Sequence, residues 1–113
     1  MHEMAIAQGI LDIALTANDR EGGSRITKIK LLIGEMAGVE PDALQFCFGA
    51  LAAGTAAAEA ELAIDIIPLT GCCDSCGTSF PIERYRFVCP SCQSGQVQTI
   101  SGRELAVDHL EVE

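Results

Sequence analysis

Basic and aromatic side chains are both scarce in this chain. Seven Lys and Arg stand against sixteen Asp and Glu, a formal charge of −9, and aromatics make up 4% of its 113 residues. A phosphate backbone would repel such a surface, so nucleic-acid binding is not expected. Lys28, Lys30, Arg84, Arg86 and Arg103 read as solvated positions rather than a binding face. No run approaches the roughly eighteen apolar residues of a membrane span. The opening MHEMAIAQGILDIAL carries acids where a secretory signal has a basic flank. A soluble, cytoplasmic protein is expected. There is no Ser/His/Asp order and no glycine-rich loop to cradle phosphate, and His109 stands alone on the last strand, so an enzyme is not expected. With 49% apolar residues, the chain can build a modest core in one small domain or two very small lobes.

Cysteine, by contrast, is plentiful. The run Cys72-Cys73-Asp74-Ser75-Cys76-Gly77 is answered by Cys89-Pro90-Ser91-Cys92, with twelve residues, 77–88, between the inner cysteines. Two C-x-x-C knuckles facing each other across a short hairpin each put two thiolates on one side of an ion, the arrangement a tetrahedral metal requires. Gly77 can take a positive φ and Pro90 has φ already set, as knuckle turns need. Cys72 is one thiol too many. Cys73 keeps the two-residue spacing to Cys76, so the ligand set is Cys73, Cys76, Cys89 and Cys92. Disulfides are disfavoured in a reducing cytosol. Iron held by four thiolates has similar geometry, but such carriers pack their sites with aromatics, and only Phe80, Tyr85 and Phe87 are at hand. Structural Zn(II) is the expected ion, since four cysteines leave no open position. A lobe of about thirty residues buries too little surface to fold alone, whereas zinc can contribute on the order of 10–16 kcal/mol.

Periodicity supplies the rest of the plan. Ile6, Ile10, Ile13, Ala14 and Ala17 recur at helical spacing in residues 4–17. From Ile26 to Ile33 the period becomes two, with Ile29, Leu31 and Ile33 opposite Lys28 and Lys30. Pro41 suits the first position of a second helix, with Asp42 beside its N-terminus and Leu44, Cys47, Phe48 and Leu51 as its buried stripe. Cys47 is thus a packing residue. Residues 54–61 read either as a helix extension or as a loop. Leu62, Ile64 and Ile66 mark a second strand. Phe80 with Ile82, and Tyr85 with Phe87, are compatible with two hairpin strands, and residues 96–100 with another. A last strand, 104–112, changes phase near Asp108-His109, so a bulge or twist is expected there. The predicted fold is α+β: a sheet of about three strands, two helices on one face, and an inserted four-cysteine zinc-ribbon lobe. One lobe comprises residues 1–69, completed by strand 103–113, and the zinc lobe comprises 70–102.

Met1-His2-Glu3 is the second informative stretch. A free amine, the next backbone nitrogens and an imidazole offer nitrogen donors in a plane, which suits Ni(II) or Cu(II) better than Zn(II). All these donors must lose protons, so binding should weaken as pH falls.

Together, the Met1-His2-Glu3 start, the helix after it, Ile33-Gly34-Glu35, the helix containing Phe46-Cys47-Phe48, and the two knuckles resemble the HypA family of nickel metallochaperones. The match runs in order along nearly the whole chain. The resemblance implies a two-lobe, non-catalytic maturation factor with a structural zinc and Ni(II) as transient cargo. Its partners would be the GTPase HypB and the [NiFe] hydrogenase large subunit. The implied nickel donors are the amine of Met1, the backbone and imidazole of His2 and the backbone of Glu3. Glu40 falls where some members place a shorter acid near the nickel. A generic zinc-ribbon interaction module and an electron-transfer protein are the competing readings.

Overall fold

In the computed structural model, which describes residues 2–113, the first helix, α1, spans Glu3–Arg20. Glu3 in its first turn and Arg20 in its last complement the helix dipole. Its buried face is Ala7, Ile10, Leu11, Ala14 and Asn18, one residue out of phase with the expected stripe. Ile13 is exposed and Ile6 and Ala17 are only half-buried. The reason is Asn18, whose side chain lies in the core and donates from Nδ2 to the Ser24 carbonyl at 2.5 Å. A polar residue at an inward position disguised the phase.

The remaining elements are β1 (Ile26–Gly34), α2 (Pro41–Ala52), β2 (Glu61–Ile67), β3 (Thr70–Cys73), β4 (Ser79–Pro81), β5 (Val97–Ser101) and β6 (Leu105–Val112). Two three-stranded sheets result, ordered β2-β1-β6 and β4-β3-β5. The α+β class agrees with the expectation, and the last strand does return to the first sheet. In β1, Ile29, Leu31 and Ile33 are buried while Lys28 and Lys30 remain half-exposed. Lys30 pairs with Asp65 at 2.9 Å and Lys28 approaches Glu111 at 3.9 Å.

Helix α2 begins where Pro41 predicts, and the Glu40 carboxylate caps it by accepting the Asp42 N–H at 3.1 Å. Its buried line is Leu44, Phe48 and Ala52. Cys47 and Leu51, expected within it, are only half-buried. Residues 54–60 form turns rather than more helix, held by the Thr55 hydroxyl donating to the Ala52 carbonyl at 2.7 Å. On the edge strand β2, Leu62 is buried, but Ile66 is exposed, contrary to the expected alternation. In β6 the half-buried residues are Val107 and Leu110. That three-residue interval breaks strict alternation next to Asp108-His109.

The chain divides into two compact units. One contains Met1–Leu32, Gly38–Asp65 and Ala106–Glu113, and the other Ile33–Ala37 and Ile66–Leu105. In the second unit, three passes of backbone are laced together. Gly34 N–H donates to the Glu104 carbonyl, Glu35 N–H to Ile67 and Met36 N–H to Gly102, at 2.7–2.8 Å. The Glu35 carboxylate accepts the Leu69 N–H at 2.8 Å. Gly102 sits at φ 111°, and a β-carbon there would come within 2.6 Å of the Leu69 Cα. Both the strained torsion and the backbone clash oppose any side chain. Gly102→Ala should therefore cost about 3 kcal/mol or more, measured as a lower urea midpoint with an unchanged slope.

The expected pair of hairpin strands is only half present. Residues 79–81 do form a strand, paired antiparallel to β3 with Gly71 opposite Phe80. Tyr85 to Val88 does not, because Arg84 and Tyr85 take left-handed torsions, φ 51° and 57°, and turn the chain away. Strand β3, which pairs with both β4 and β5, was not foreseen. Its four residues, TGCC, are too short to display a period.

Candidate metal centre

The two knuckles are built alike. Cys73 O accepts from Gly77 N–H and Cys89 O from Gln93 N–H, both at 2.9 Å. Cys73 N–H donates to Thr78 O and Cys89 N–H to Ser94 O, again at 2.9 Å. Each loop thus closes on its first cysteine, and the residue after its second takes a positive φ, 78° at Gly77 and 60° at Gln93. Gln93 went unnoticed in the sequence, although its place, directly after the second cysteine, mirrors that of Gly77.

The Sγ atoms of Cys73, Cys76, Cys89 and Cys92 all lie within 4.8 Å of one another. Cys73 to Cys92 and Cys76 to Cys89 are each 3.6 Å apart. A disulfide needs about 2.05 Å. A tetrahedron of thiolates bonded at about 2.3 Å has edges of about 3.8 Å, so the spacing fits a zinc-sized ion. Cys73 and Cys89 are buried, and with Leu69, Phe80 and Ile82 they form the core of this unit, against which Met36, Phe87 and Val97 pack. Cys76 and Cys92 face solvent.

Crowding four thiols sets their protons against one another. The Thr78 hydroxyl, 3.2 Å from Cys76 Sγ, and the Thr78 N–H favour the thiolate, lowering Cys76 to about 6. Cys73 is also lowered, chiefly by the Cys76 N–H. Cys92 has the Ser94 N–H in its favour, but its neighbours Cys73, Cys76 and Cys89 push it up to about 12. A thiolate beside an existing thiolate is costly without a cation, and a divalent metal removes that opposition.

Cys72 lies outside the cluster. It is half-buried, with Sγ 3.7 Å from the Gly77 carbonyl. Cys72→Ser should leave one zinc per chain and change stability by no more than about 1 kcal/mol, checked by metal analysis and thermal melting.

At the other informative stretch, Met1 falls outside the described residues. His2 is exposed at the N-cap of α1, and its imidazole makes no capping hydrogen bond. The first helical bond of α1 runs from Ile6 N–H to His2 O at 3.1 Å, so the amides of His2 and Glu3 are among the N–H groups a helix start leaves free. The Glu3 carboxylate accepts the Glu40 N–H at 3.0 Å, which holds its pKa below the usual carboxylate value. The start of the chain and the cap of α2 are thereby joined. His109 is not isolated: it meets Asp108 at 2.9 Å and Glu111 at 3.5 Å, and Asp108 raises its pKa.

The protein-family description that matches residues 1–112 is "Hydrogenase/urease nickel incorporation, metallochaperone, hypA". Hydrogenase maturation factor HypA of Pelodictyon phaeoclathratiforme is 46% identical over 113 residues, covering 100% of this chain and 97% of that protein. The Geobacter sulfurreducens factor of the same name is 45% identical over 113 residues and covers 100% of both. Among solved structures, the solution structure of the Ni metallochaperone HypA from Helicobacter pylori shares the fold, with a TM-score of 0.71 at 20% identity over 99% of this chain and 97% of that one. A sequence relationship that runs unbroken from one end to the other, on a shared fold, leads to one conclusion: this chain belongs to the HypA family, the metallochaperones of hydrogenase and urease nickel incorporation.

Proposed function

We propose that this chain binds Ni(II) at its amino terminus and delivers it to the large subunit of [NiFe] hydrogenase, working with the GTPase HypB. The observation that carries the reading is a family match beginning at residue 1, so that Met1-His2-Glu3 lies inside it. The donors are the amine of Met1, the backbone and imidazole of His2 and the backbone of Glu3. An exposed imidazole beside free helix-start amides supports this set, and planar nitrogen ligation suits Ni(II). Glu40, drawn close by its bond to Glu3, is assigned as the nearby acid. The carrying lobe is the unit that contains α1 and α2, and the cage lobe is the unit of Ile33–Ala37 and Ile66–Leu105.

Cys73, Cys76, Cys89 and Cys92 would hold structural Zn(II), which supplies a cross-link between the two knuckles and leaves no coordination position for a substrate. The protein is non-catalytic and works in the cytoplasm, where its thiols stay reduced. None of its described helices is long and apolar enough to cross a membrane.

Titration of the untagged, zinc-loaded chain with Ni(II) tests the proposal against the same chain carrying one extra residue ahead of Met1. Saturable uptake by the first and none by the second is expected, because the extension displaces the amine from beside His2. Equal uptake by both would refute the amino-terminal site, and no uptake by either would leave a zinc-ribbon interaction module.

A further inference from the structure

Helix α2 has a water-facing side that lacks the charges such a face normally carries. Its exposed residues are Asp42, Gln45, Phe46, Gly49 and Ala50, and Asp42 is the helix's single charged residue. Gln45 is already engaged, donating to the Leu62 carbonyl at 2.8 Å. Phe46 stands out from this flat surface with 78% of its area exposed. A lone phenyl ring above glycine and alanine is a shape that fills a socket.

Charge selects what covers it. The unit containing α2 has twelve acidic and four basic residues, a formal charge of −8, whereas the other unit has four and three. A second copy would bring an equal charge against it, and a phosphate or lipid surface would also be repelled. A protein surface with an apolar socket rimmed by Lys or Arg is attracted and matched. Position selects which such protein. Asp42 and Phe46 are four residues apart on one helical face, a rise of about 6 Å. Asp42 is bonded to Glu40, and Glu40 to Glu3, the residue after His2. A partner seated on Phe46 therefore has its edge at the start of the chain.

We infer that the exposed face of α2, with Phe46 as its anchor and Asp42 as its charged guide, is the docking surface for the basic, socketed protein that accepts nickel from this chain. The inference rests on the nickel reading given above, with the hydrogenase large subunit as acceptor.

The test uses the purified nickel-free large subunit of the same organism and the zinc-loaded full chain. Phe46→Ala should weaken their association at least tenfold, mainly through faster dissociation. Asp42→Lys should slow association and reverse its dependence on salt. Both variants should retain zinc and Ni(II) affinity, and Phe46→Ala its melting temperature as well, since Phe46 and Asp42 face solvent; Asp42→Lys should melt slightly lower, because it puts a cation at the start of α2. Wild-type affinity in both variants would overturn the inference. So would an effect confined to HypB, or a wild-type dimer that Phe46→Ala dissociates, which would make a second copy the occupant. His2→Ala separates the two claims: if docking survives when nickel binding is lost, the surface stands by itself. If the native chain binds no nickel yet docks through Phe46, the carrier reading fails and the acceptor role with it.

Discussion

Cys73→Ser is expected to release zinc and unfold the surrounding unit while α1 and α2 stay folded. Cys73 and Cys89 are 1% and 0% exposed and supply two of the five buried members of that unit's core. The strands meeting there contain four, three and five residues. Such short pairings with so small a core cannot offset the conformational entropy of ordering the chain. A structural zinc contributes about 10–16 kcal/mol, comparable to or larger than the whole net stability of a typical domain. Metal analysis should fall from one zinc per chain towards none. Amide resonances of residues 69–102 should collapse to the dispersion of an unfolded chain, while those of residues 3–20 and 41–52 persist. A serine variant that kept stoichiometric zinc and its spectrum would show that Cys73 is not a ligand. Acid should act in the same direction, because protons compete for the four thiolates and metal affinity falls as pH is lowered.

The second large effect is on nickel alone. His2→Ala should weaken Ni(II) binding by about 100-fold or more, roughly 2.7 kcal/mol, because it removes the imidazole from a planar set that the amine and amides cannot complete. Melting temperature and zinc content should not move, since His2 is exposed and its side chain makes no capping bond. Binding by the native chain should weaken steadily as pH falls, because each donor must lose a proton. Isothermal titration of the two zinc-loaded proteins at near-neutral pH checks both statements. Equal affinities would remove His2 from the donor set, whatever the fate of the cysteine cage.

How far the chain could be read before its structure depended on how local each signal was. The knuckles were legible because C-x-x-C spacing is a statement about one turn of backbone, and the structure repeats that turn at Cys73–Gly77 and Cys89–Gln93. The start of α2 was legible for the same reason, since Pro41 and Asp42 act on the first turn. The buried face of α1 was misplaced because Asn18 takes an apolar residue's position to secure the Ser24 carbonyl, and nothing in a hydropathy pattern marks that exchange. Strand β3 stayed hidden because it exists only by pairing with residues 79–81 and 97–101. A second hairpin strand was expected from Tyr85 and Phe87, but the left-handed torsions of Arg84 and Tyr85 override alternation.

The amino acids by themselves determined which chemistry is available: two thiol pairs at turn spacing, a histidine in second place, and an acidic surface that repels phosphate. Those properties depend on neighbours along the chain and survive any fold that keeps them local. Only the tertiary structure decided that Glu3 meets Glu40 across 37 positions of sequence, that Asn18 lies in the core, and that Phe46 stands in water. Contacts between distant residues arise from packing, and packing leaves no periodic trace in the order of the residues that make it.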